Sequence, residues 1–149
     1  NVFRAAGMQV DEEREKALEE LPPIPRSKEE VALAEELSRA AALQALIRHV
    51  GTYRSLYGPE GKKRVAEGKD LTAVKYVLAT GGALTRLPGR ERILREVLSS
   101  LPANTLAPPA HAVLGFDTRY IMASLGALGG KYPEAALRLL EESIWPDRR

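Results

Sequence analysis

A chain of 149 residues with 44% hydrophobic content is long enough to bury a core, and one domain is the default at that length. Its 22 lysines and arginines face 20 acidic residues, and a net charge of +2 is too small an excess to call for a nucleic-acid partner. With no cysteine, disulfides and thiolate metal sites are excluded. With no apolar run near the roughly 20 residues a membrane span needs, and no signal-peptide pattern from Asn1 to Val10, the chain reads as cytoplasmic.

The start at Asn1 rather than methionine reads as a fragment or processed product. Residues 1–26 are expected to form an N-terminal helix and a Pro-rich connector, and 27–149 the main body. Asp11 to Leu21 carries acidic residues in its first turn, where the helix dipole favours them, and stops at Pro22. Pro22, Pro23 and Pro25 make a stiff extended connector, because proline fixes its own φ and restricts the residue before it. Ser27 and Glu30 have the S-x-x-E spacing of a capping box, so a long helix is predicted from there toward Val50, closed by Gly51. Val31, Ala34, Leu37, Ala41 and Ala45 form one stripe of it. From Ala40 to Ile47 only Gln44 is polar, which predicts burial on more than one side.

Tyr53 to Asp70 mixes Gly58-Pro59, Gly61 and Gly68 with charged residues and reads as an irregular loop or loose hairpin. Val74 to Ala79 is short, apolar, partly β-branched and bounded by turn signals, hence a buried strand. A helix from Glu91 to Leu101 follows, and Pro102 halts it. Ala110 to Phe116 is a second interior strand. Asp117 can cap a helix over Thr118 to Leu128 ending at Gly129-Gly130, and Pro133 suits the first turn of a last helix ending near Trp145. Strand, helix, strand, helix predicts a parallel pair with a right-handed crossover in an α/β, helix-rich fold. Two strands make a poor sheet, so further strands are expected upstream in a larger domain or from a partner.

The first place to look for a ligand is Thr80-Gly81-Gly82, where a strand ends in paired glycines before a helix. Glycine has no Cβ to hold a ligand off the backbone. The amides of Gly81, Gly82 and Ala83 could face an adenosine or a phosphate, with Thr85 donating and Arg86 stacking or pairing with charge. The same spacing serves equally as a tight strand-to-helix connection. Neither a Walker loop nor a G-x-G-x-x-G fingerprint occurs.

Other chemistry has little support. His49 and His111 lack metal-ligand spacing, the serines lack a nucleophile elbow, and the paired glutamates sit where helices present solvated faces. Lys62-Lys63-Arg64 reads as a solubilising loop, with an anionic partner as the sharper alternative. Ala123, Gly126 and Ala127 allow close approach of a helix to a neighbouring backbone, with core packing as the preferred account. No catalytic or metal-binding residue is assigned.

A-T-G-G-A-L-T-R-L-P (79–88), with G-K-D-L-T-A-V-K-Y-V-L (68–78) before it and R-Y-I-M-A-S-L-G-A-L-G-G-K-Y-P-E-A-A-L (119–137) after it, resembles the C-terminal region of the GlmL/MutL family. The likeness runs from about Ser27 to Trp145. These are accessory proteins of cobalamin-dependent glutamate mutase and related aminomutases, unrelated to the mismatch-repair protein of similar name. The resemblance implies the C-terminal part of an actin-like (ribonuclease H-like) ATPase lobe, related to sugar kinases and heat-shock chaperones. There, a strand ending in paired glycines forms the adenosine-binding element. Carried onto this chain, Gly81 and Gly82 are the core of that element, Thr80 and Ala83 line it, and Thr85 and Arg86 are secondary, because one extra residue separates them from the glycines relative to the chaperones.

The implied ligand is ATP or ADP, bound weakly or only in the full-length protein, with Mg for the parent alone. The upstream phosphate hairpins have no counterpart here. Binding an adenosine supplies no metal, positioned water or γ-phosphate clamp, so the chain by itself is not expected to hydrolyse ATP. The implied role is nucleotide-driven reactivation of a cobalamin-dependent mutase, whose subunits are the expected partners, with homo-oligomerisation allowed and neither nucleic acid nor membrane. The alternative from another class is a non-catalytic helical module that docks on a mutase subunit or dimerises.

Overall fold

A computed structural model describes residues 10–59 and 61–145; the expected segment at 1–9 and the tail at 146–149 lie outside the described residues. The elements are α1 (Glu12–Glu19), α2 (Lys28–His49), β1 (Thr52–Gly58), β2 (Gly61–Glu67), β3 (Tyr76–Ala79), α3 (Gly82–Arg86), α4 (Arg90–Ser99), β4 (Val113–Phe116), α5 (Met122–Gly129) and α6 (Pro133–Ile144). Among the described residues no helix is long and apolar enough to cross a membrane.

Local signals set the first helices. Asp11 caps α1 by accepting the Arg14 amide at 2.8 Å. The capping box at the head of α2 is complete. Ser27 Oγ accepts the Glu30 amide at 3.1 Å, while Glu30 Oε2 accepts the amides of Ser27 at 3.1 Å and Arg26 at 2.6 Å. Those backbone donors, Arg26 first, hold the Glu30 carboxyl below the usual carboxylate range.

α2 packs on α4 around Ala34, Leu87, Ile93 and Val97, with Leu21, Val31, Leu43, Leu46 and Leu84 partly buried against them. The apolar second half of α2 is not buried all round, since Ala41 and Ala45 are exposed. Alanine carries too little surface to demand cover. A polar clamp reinforces the helix pair. Glu35 accepts the Gly89 amide and the Arg92 guanidinium, both at 2.6 Å, bridging α2 to the start of α4.

The segment read as a loop or loose hairpin is a regular one, β1 and β2 pairing antiparallel from Thr52↔Glu67 to Gly58↔Gly61. Its charged residues are compatible with a ladder because most of its length is solvent-exposed on both faces. Among the described residues the hairpin's anchoring backbone bonds are at its base. The Gly51 amide donates to Lys69 O and its carbonyl accepts the Leu106 amide, both at 2.7 Å, while the Tyr53 amide donates to Asn104 O at 2.7 Å. A Cβ on Gly51 would sit 2.5 Å from Glu67 O and 2.9 Å from Leu106 Cδ1, so Gly51 is a point of close approach as well as a helix end. Gly51→Ala should therefore destabilise the chain by about 1–3 kcal/mol, as overpacking against backbone does, and thermal unfolding checks this.

β3 and β4 pair in parallel, from Tyr76↔Val113 to Ala79↔Phe116, as the alternation of strands and helices predicts. Both are shorter than predicted. Val74 is held in a turn by its amide's bond to Leu71 O at 3.1 Å, so β3 begins at Tyr76. Nor is β3 a buried strand: Tyr76 and Leu78 are exposed, as is Val113 beside them, because among the described residues the sheet has two strands. The first helix after β4 also starts late. Tyr120 takes a positive φ of 55°, so α5 begins at Met122 rather than at Thr118. Its small residues Ala123, Gly126 and Ala127 are exposed instead of packed. Pro133 occupies the first turn of α6, as its fixed φ suits.

Candidate functional site

The turn after β3 is built by one left-handed residue. Gly81 has φ 94° and ψ 147°, a conformation that strains any residue with a Cβ, and Gly82 then opens the five-residue helix α3. A Cβ built on either glycine would meet nothing within 4 Å. The backbone there is bare and its approach is open.

Each predicted residue has a definite place. Gly82, Ala83 and Arg86 are exposed and line one side of a cavity of about 820 Å³. Leu37 and Ser38 of α2 form another side, and Pro23 and Ile24 of the connector a third. Thr85 faces the other way. It is 2% exposed, and its hydroxyl donates to Gly81 O at 2.8 Å while its amide reaches the same oxygen at 3.1 Å. Its place as a ligand donor is thus taken over by a structural role, holding the turn closed from within. Thr80 and Gly81 are not among the residues that line the cavity; Thr80 is exposed and its hydroxyl donates to Asp117 Oδ2 at 3.2 Å.

Asp117 is the residue that sequence reasoning saw only as a helix cap. It is 1% exposed and follows β4, with its amide bonded to Ala79 O at 2.9 Å, which brings it beside the end of β3. Its Oδ1 accepts Ser143 Oγ at 2.6 Å and the Ile121 amide at 3.1 Å, and its Oδ2 accepts the Met122 amide at 2.9 Å as well as Thr80. Burial would push this carboxyl up, but the bonds from Ser143, Met122, Ile121 and Thr80 together outweigh it and hold the group below the usual carboxylate range. An acidic residue directly after an apolar strand was the available signal. Its partners from α6 were not readable.

The arrangement offers a ligand three things: apolar walls, a backbone that can be approached without a Cβ in the way, and one cation at Arg86. Such a site suits a flat, partly apolar group with an anionic extension better than it suits a bond-breaking reaction. Among the described residues no group of three or more His, Asp or Glu side chains could hold a metal ion.

Comparison with known proteins bears on most of the chain. A family model described as MutL protein matches residues 3–144. The chain is also similar to Protein MutL of Clostridium tetanomorphum, 32% identical over 126 residues that make up 85% of this chain and 27% of that protein. It thus spans about a quarter of the length of that curated relative. No solved structure matches. By the extent of the family match and the level of identity, this chain belongs to the MutL protein family.

Proposed function

We propose that this chain is an adenosine-binding, C-terminal segment of an actin-like ATPase lobe, in an accessory protein that reactivates a cobalamin-dependent mutase such as glutamate mutase. The single observation that carries the nucleotide reading is the open bend at Gly81, whose next residue, Gly82, lines an apolar cavity of about 820 Å³. The adenine and ribose would lie against Ala83 and the cavity walls, with the peptide edges of Gly81 and Gly82 beside them. Arg86 would stack on the base or meet the phosphates. Asp117, which is bonded to Thr80 beside the turn, spends both oxygens inside the fold. Mg and the phosphate-clamping groups are therefore assigned to other parts of the parent protein. When bound there, they would supply the charge stabilisation that hydrolysis needs.

Titration calorimetry with AMP, ADP and ATP tests this reading. Recognition centred on adenosine keeps AMP binding measurable, with Arg86 adding at most a modest preference for the longer phosphates. Binding of ATP with none of AMP would place recognition on the phosphates and contradict it. A second reading is favoured by the exposed apolar residues Leu128, Tyr132, Leu137 and Leu139 on and between α5 and α6. It is a helical docking module for a mutase subunit or a second copy. No nucleotide binding, combined with tight association to a mutase subunit or a stable dimer in sedimentation, would favour that reading.

A further inference from the structure

The β1–β2 hairpin stands away from the site and carries chemistry of its own. Strand alternation and the register place Tyr53, Ser55 and Tyr57 of β1 on one face with Lys62, Arg64 and Ala66 of β2. No carboxylate stands on that face among the described residues of the two strands; Glu67 pairs with Thr52 and bonds Arg54 on the other face. Both cations lean across the ladder toward β1. The Arg64 guanidinium lies 3.8 Å from the Tyr53 ring centroid and Lys62 Nζ lies 6.0 Å from that of Tyr57, which is 79% exposed.

The outer edge of β1 is started but not completed. Tyr53 donates outward to Asn104 O, and Leu106 donates to Gly51 O, forming a short bridge at Thr52↔Thr105. Because amides alternate along a strand, those of Ser55 and Tyr57 point the same way as that of Tyr53. Among the described residues no strand covers them, and β1 pairs with β2. An open edge of this kind is a template for another extended chain.

We propose that the outer edge of β1 accepts an extended acidic segment of a partner protein as a third strand. The segment's backbone continues the pairing begun at Asn104–Leu106. Its alternate Asp or Glu side chains fall on the face where Arg64 and Lys62 hang over β1, so charge selects the partner and the ladder fixes its register. A single-stranded nucleic acid would use the tyrosines as stacking platforms, but cations already lie over both rings. A nucleic acid also has no donors and acceptors at strand spacing to match the edge.

The test uses the whole 149-residue chain and a fluorescein-labelled peptide of alternating Glu and Val, followed by anisotropy and by amide hydrogen exchange. Exchange at Ser55 and Tyr57 should slow when the peptide is added. Affinity should fall about tenfold in a Lys62→Glu/Arg64→Glu variant, from the reversal of two exposed charges. A Ser55→Pro variant, which removes one outward amide without touching the β2 ladder, should lose binding while keeping the hairpin's own amide protection. Peptide binding that leaves the Ser55 and Tyr57 amides unprotected would overturn the proposal. So would binding unaffected by the charge reversal, or binding of an oligothymidylate in place of the peptide.

Discussion

Replacing Asp117 by alanine should destabilise the chain by about 3–5 kcal/mol, the range for removing one member of a buried charged network. The loss does not come from the aspartate's contacts with carbon, because its side chain is small. It comes from the donors left behind. Ser143 is fully buried and would keep a hydroxyl without an acceptor, and the amides of Ile121 and Met122 would lose the oxygens that start α5. With total stabilities of domains near 5–15 kcal/mol, a change of this size is a large share of the fold. Asp117→Asn keeps the shape and one acceptor, so it should cost less, about 1–3 kcal/mol. Chemical denaturation of the two variants side by side checks the order.

The same network predicts a pH dependence. The native Asp117 carboxyl is held below its ordinary value, so the unfolded chain binds the proton more readily. Its contribution to stability is then fully present above the unfolded pKa of about 3.9. It is lost as the pH falls through the depressed native value. The Asp117→Asn chain should lack that part of the acid-side decline, which denaturation curves between neutral and acid pH would reveal.

Gly82→Val is the second large effect, and it should act on ligand binding while sparing the fold. A Cβ at Gly82 meets nothing within 4 Å, and no left-handed φ is required there, so valine fits the free chain. Its branched side chain would project over the mouth of the cavity that Gly82 lines. Adenosine binding should drop at least tenfold, about 1.4 kcal/mol, with little change in melting temperature. Gly81 is a poorer probe of function. Its φ of 94° means that any substitution adds backbone strain of about 1–2 kcal/mol, mixing folding with binding.

These residues also mark how far the sequence could be read. Features determined within a few residues were legible: the Ser27–Glu30 capping box, the Pro133 start of α6, and the bend that only Gly81 can make cheaply. Features determined across the fold were not. Thr85 looked like an outward donor because sequence cannot say which side of a short helix packs, yet its hydroxyl is turned inward onto Gly81 O. The late start of α5 goes with the positive φ of Tyr120 and with the Asp117 carboxylate that accepts the Ile121 and Met122 amides, itself bonded to Ser143, 26 residues farther on. The hairpin was legible only as one of two readings, a loop or a loose hairpin, for a different reason. With both faces exposed it has no apolar alternation to betray it, and its charged residues resemble a loop until the partner strand is known.

The actin-like lobe and the mutase role are proposals drawn from the residues' resemblance, while the nucleotide proposal rests on the geometry of one turn. Calorimetric titration of ADP into the chain and into its Gly82→Val variant, with matched thermal melts, is the most direct trial of that turn. Binding by the parent sequence, lost in an equally stable variant, is the result expected. Equal binding by both chains, or none by either up to millimolar ADP, would contradict an adenosine site at Gly81 and Gly82.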